Sequence, residues 1–98
     1  MKQFKELDPV LHQQLRLAIV ALLAHVKEAE FSYIKEQTEA TSGNISVQLT
    51  KLKEAGYIKI EKSFKDNYPL TTCSLTPAGR KAFTNYAEAL QAYLKQTK

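Results

Sequence analysis

Apolar residues recur at Leu11, Leu15, Ala18, Ile19, Leu22 and Val26. That three-and-four spacing marks one buried face of an α-helix. Asp8-Pro9 supplies a capping carboxylate and a first-turn proline, so a helix is predicted over 9–28. A short second helix is expected over 32–39, with Ser32 as cap, Ile34 as its apolar contact and Phe31 in a very short strand before it. Ile45, Leu49 and Leu52 form a narrow stripe that predicts a third helix over 43–55, capped by Ser42 or Thr41. Gly56 follows at the position where a left-handed residue closes a helix. The period then drops to two. Ile58, Ile60 and Phe64 alternate with Lys59, Glu61 and Ser63, and "LTTCSLT" at 70–76 is β-branched. "KDNYP" between them has turn composition, so 57–76 reads as a hairpin with a polar tip. Thr76-Pro77 opens a last helix over 77–95, with Phe83, Tyr86, Leu90, Tyr93 and Leu94 on its apolar side.

The predicted class is therefore mainly α with a small β-hairpin, in the order α-α-α-β-β-α, as one domain over 1–98. The lone cysteine, Cys73, rules out an internal disulfide and is expected to be a small core residue. "AIVALLA" is too short to span a bilayer. "MKQFKELDPV" is too polar for a signal peptide, so a cytoplasmic location away from membranes is expected. The net charge is +4 and unevenly spread: residues 1–40 carry a net −1, and all the positive excess lies beyond residue 41.

Catalytic chemistry finds no foothold. There are no paired acids, nucleophile with base, or phosphate-cradling glycine loop, which argues against an enzyme. His12 and His25 lie thirteen residues apart on one helix and Cys73 stands alone, so neither a metal nor a cofactor is expected.

Two short helices joined by a tight turn, then a two-stranded hairpin, make a winged helix-turn-helix. A duplex major groove admits one α-helix, and that helix needs a greasy stripe to hold it and a polar flank to meet bases and phosphates. The flank of 43–55 offers Asn44, Ser46, Gln48 and Lys51, with Ser42 at its start. Asn and Gln can bond adenine edges, while Ser and Lys suit phosphate. Val47 is the apolar exception and can touch a thymine methyl. On the hairpin tip, Lys62, Lys65 and Asn67 are the candidate backbone contacts.

"ISVQLTKLKEAGYIKIEKSF", "LTPAGRKAF" and "LHQQLRLAIVALL", with Arg16 ahead of the apolar run, together resemble short winged-helix transcriptional regulators of the MarR and ArsR groups. The likeness covers roughly residues 7–95. It implies a dimeric bacterial or archaeal regulator binding double-stranded DNA, with 43–55 as reading helix and 62–70 as wing; with the basic shift at residue 41 and the helix–hairpin order, a repressor is the expected role. It also implies a dimer built from terminal helices. Such dimers can hold a small-molecule effector in a cleft between those helices and the reading head, though no residue here identifies one. The chain departs from the pattern in carrying no arginine on either the reading helix or the wing, and the thiolate cluster of the metal-sensing group is absent.

A helix of about twenty residues overruns the core of so small a domain. Leu11, Leu15, Phe83, Tyr86, Leu90, Tyr93 and Leu94 are therefore the expected interface of a two-fold homodimer. The competing expectation is a winged-helix module that docks a protein partner instead of DNA, motivated by the missing arginines and by Glu54 and Asp66 on the contact surface.

Overall fold

The computed structural model describes residues 3–95. Its elements are α1 (Gln14–Ala24), β1 (Ala29–Glu30), α2 (Phe31–Thr38), α3 (Ser42–Glu54), β2 (Ile58–Lys65), β3 (Tyr68–Leu75) and α4 (Pro77–Lys95).

The first helix starts five residues later than its apolar spacing suggests. Asp8 does cap, but it caps a separate turn: its Oδ1 accepts from the Val10 and Leu11 amides, and its carbonyl accepts from His12 N–H. Gln13 then caps α1 with its own side chain, accepting from Arg16 N–H at 2.7 Å. Phe31 is the first residue of α2 and not part of a strand. The short strand is Ala29–Glu30, which pairs antiparallel with β3 through Ala29–Cys73 and Glu30–Thr72. The sheet is thus three-stranded, in the order β1-β3-β2.

The hairpin tip is tighter than its composition suggests. β2 and β3 pair as far as Lys65–Tyr68, leaving only Asp66 and Asn67 in the turn. Both have positive φ, 52° and 68°, the pair that a two-residue type I′ connection requires.

Leu11, Ile19, Val20, Leu23, Ile34, Ile45, Leu49, Leu52, Ile58, Cys73 and Tyr86 form one buried cluster. Every helix and both long strands contribute, so α3 is held by its Ile45–Leu49–Leu52 stripe against α1 and β2. Gly56 adopts φ 81° directly after α3 and turns the chain into β2. Thr76 joins that corner to α4. Its hydroxyl donates to the Gly56 carbonyl at 2.6 Å and accepts from Gly79 N–H at 2.9 Å. No helix of the described residues is long and apolar enough to cross a membrane.

Candidate nucleic-acid interface

α3 presents two unlike flanks. Thr41 is its cap, accepting from Asn44 N–H at 3.1 Å. From that first turn onward, Ser42, Asn44, Ser46, Thr50 and Lys51 are exposed, and Val47 is 51% exposed. On the hairpin, Lys62, Lys65 and Asn67 are exposed as well. Lys59 pairs loosely with Glu61 at 3.8 Å. No ion pair is formed by Lys51, Lys62 or Lys65 among the described residues, so their charges are available to phosphate.

Gln48 departs from expectation. Its side chain does not reach outward: the residue is only 8% exposed, the one buried polar side chain among the described residues. Its Oε1 accepts from Arg16 Nη1 at 2.6 Å, and its Nε2 donates to Asn44 Oδ1 at 3.0 Å. Arg16 is anchored in turn, donating from Nε to the Val10 carbonyl at 2.6 Å. A buried amide satisfied at both ends by protein cannot also reach a base without breaking those bonds. Gln48 is therefore corrected from a reader to a support. Arg16 is the residue that reading by element missed. Its signal is a charged side chain between Leu15 and Leu17, inside a helix otherwise rich in apolar residues. Its partner lies 32 positions away on another helix, beyond any local pattern.

The expected dimer residues also divide. Leu11 and Tyr86 are buried in the protomer's own core, and the Tyr86 hydroxyl hydrogen-bonds His12 Nδ1 at 2.9 Å. They have no surface left for a partner. Leu15, Phe83 and Leu90 are half-buried against that core. Tyr93 is half-buried, stacks on Phe4 with ring centres 4.7 Å apart, and donates to the Lys5 carbonyl. Leu94 is 65% exposed.

Two groups behind the interface are electrostatically set. The Tyr57 hydroxyl donates to Asp8 Oδ2, and this bond, with burial and the carboxylate's charge, pushes it up to about 12. Burial pushes the Cys73 thiol up to about 11, so it stays protonated as a core residue.

The same architecture recurs in known proteins. An uncharacterized protein of Methanocaldococcus jannaschii is 36% identical over 77 residues, spanning 79% of this chain and 84% of that protein. The structure of a transcriptional regulator homologue from Pyrococcus horikoshii superposes with a TM-score of 0.83 at 26% identity, covering 89% of this chain and 86% of the other. Bacillus subtilis PadR, solved in complex with operator DNA, matches with a TM-score of 0.68 at 20% identity, over 76% of this chain and 48% of its own. That last likeness is one of fold. Residues 15–94 match the family described as the winged helix DNA-binding domain. An exposed polar flank on a helix pinned by its apolar stripe, an adjoining basic hairpin and a family match across most of the sequence agree: the chain belongs to the winged helix DNA-binding domain family.

Proposed function

We propose that this protein is a homodimeric, MarR-like transcriptional repressor that acts in the cytoplasm. In this reading α3 enters the major groove of double-stranded DNA and the wing holds the flanking backbone. The observation that carries it is the division of α3. Ile45, Leu49 and Leu52 are buried, while Ser42, Asn44, Ser46, Val47 and Lys51 remain exposed together. Lys51 supplies a phosphate charge, as do Lys62 and Lys65 on the wing, with Asn67 at its tip. Two protomers related by a two-fold axis would set two such helices about 34 Å apart, one duplex turn. The P. horikoshii regulator homologue and the operator-bound PadR support the assignment to transcription.

Dimerisation uses the terminal helices, through Leu15, Phe83, Leu90, Tyr93 and Leu94. An open cleft of about 830 Å³ runs between the N-terminal segment and α4, lined by Asp8, Tyr57, Lys81, Asn85 and Tyr86. It supports a place for a small-molecule effector near that interface.

The test is a fluorescence titration with duplex DNA at several salt concentrations. Lys51→Ala and Lys65→Ala are each expected to weaken binding to every sequence and to lower the salt slope by about one. Wild-type slopes retained by both variants would remove these residues from the interface.

A second reading, a protein-docking module, draws on the aromatic wing tip. Phe64 is 77% exposed and Tyr68 75%, and no arginine accompanies them. No duplex binding at low salt favours it.

A further inference from the structure

The hydrogen bonds beneath α3 run in one direction. A guanidinium can only donate, so Arg16 obliges Gln48 to turn its carbonyl oxygen inward. The Gln48 NH₂ must then face Asn44, and Asn44 must offer its own oxygen to receive it. These are the contacts observed: Arg16 Nη1 to Gln48 Oε1 at 2.6 Å, and Gln48 Nε2 to Asn44 Oδ1 at 3.0 Å. An amide whose orientation is otherwise ambiguous is thereby assigned by a donor that has no alternative. The relay starts from a firm point, since Arg16 Nε is itself tied to the Val10 carbonyl. Asn44 is exposed in the first turn of α3, where a reading helix meets base edges.

We propose that Arg16, acting through Gln48, is a positioning residue that makes Asn44 a hydrogen-bond donor toward DNA and so selects guanine at the contacted base pair. The inference rests on the DNA-reading function proposed above. Adenine is normally read by an amide that donates to N7 and accepts from the N6 amine. With its oxygen turned to Gln48, Asn44 directs Nδ2 outward, and guanine, with N7 and O6 both accepting, offers that donor two partners where thymine offers only O4 and adenine only N7. The bases that offer an amine in the major groove, adenine and cytosine, are disfavoured.

The polarity can be reversed without changing shape. Gln48→Glu keeps an acceptor for Arg16 but turns a second oxygen toward Asn44. Asn44 must then rotate its NH₂ inward and its oxygen outward. Base preference would be read by selection from a random duplex pool, followed by competition titration of single-base variants. Wild type is expected to favour guanine at one position of the half-site by about tenfold, the effect of a good base contact. Gln48→Glu should move that preference to adenine or cytosine. Arg16→Met, which leaves Gln48 free to rotate, should reduce it to less than about twofold. The exposed variant Asn44→Asp does not depend on the relay or on core packing and should also lose guanine in favour of an amine-bearing base. Guanine preference surviving in Gln48→Glu or in Asn44→Asp overturns the inference while leaving DNA binding intact. Wild-type protein that binds no duplex at low salt overturns the DNA-reading function itself, and the inference with it.

Discussion

Gly79 and Gly43 each lie in the first turn of a helix, yet their surroundings are opposite. A Cβ at Gly79 would sit 2.1 Å from the Tyr57 carbonyl oxygen, backbone that cannot easily yield. Replacing glycine by alanine in a helix gains about 1 kcal/mol in propensity, but the clash outweighs it. Gly79→Ala is expected to lose about 2 kcal/mol net by denaturant unfolding. At Gly43 a Cβ would meet nothing within 4 Å, so Gly43→Ala is expected to gain about 0.5–1 kcal/mol. Tyr57 adds a pH dependence. Its hydroxyl pKa is raised in the folded state, from 10.0 to about 12. The stabilisation it gives is therefore complete below pH 10 and is lost as pH climbs through 12. Tyr57→Phe should cost about 1 kcal/mol near neutral pH and flatten the decline of stability in that alkaline window. Some of these positions were legible from type and spacing alone. Gly56 after a periodic run and Thr76 before Pro77 are local signals, and both perform the expected capping. Gln48 was not legible, because a residue on the border of a helical stripe points in or out according to a partner, and Arg16 is remote in sequence.

Helices and strands were recovered where periodicity is long. α4 spans Pro77–Lys95 as its apolar spacing predicts, and α3 is displaced by one residue. The misplacements occur where side chains compete for backbone donors. Asp8 closes a turn of its own, so α1 waits for Gln13. Ala29–Glu30 has no period to count, and it becomes a strand only because β3 offers an edge. The cap of α3 gives a direct check on how that helix is held. Thr41→Ala removes the acceptor for Asn44 N–H and should cost about 1 kcal/mol. That corresponds to a drop in Tm of about 4–8 °C for a domain of this size. Because the first turn carries Ser42 and Asn44, the same variant is expected to weaken DNA binding at temperatures where the fold remains intact.

The assembled chain is elongated. Its radius of gyration is 15.0 Å, against about 13 Å for a compact domain of this length. α4, 19 residues long, runs about 28 Å and ends with Leu94 exposed. On the dimer proposed above, Leu94→Glu, at a position 65% exposed, should yield monomers in sedimentation velocity. A variant that remains dimeric would move the interface elsewhere. The location of the DNA surface can be read from backbone amide shifts during titration with a palindromic duplex at low salt. The proposed reading predicts that the largest changes cluster on residues 42–51 and 62–67, with the Gln48 side-chain amide still bonded inside. Changes concentrated on α4, or amides that do not move at all, would contradict it.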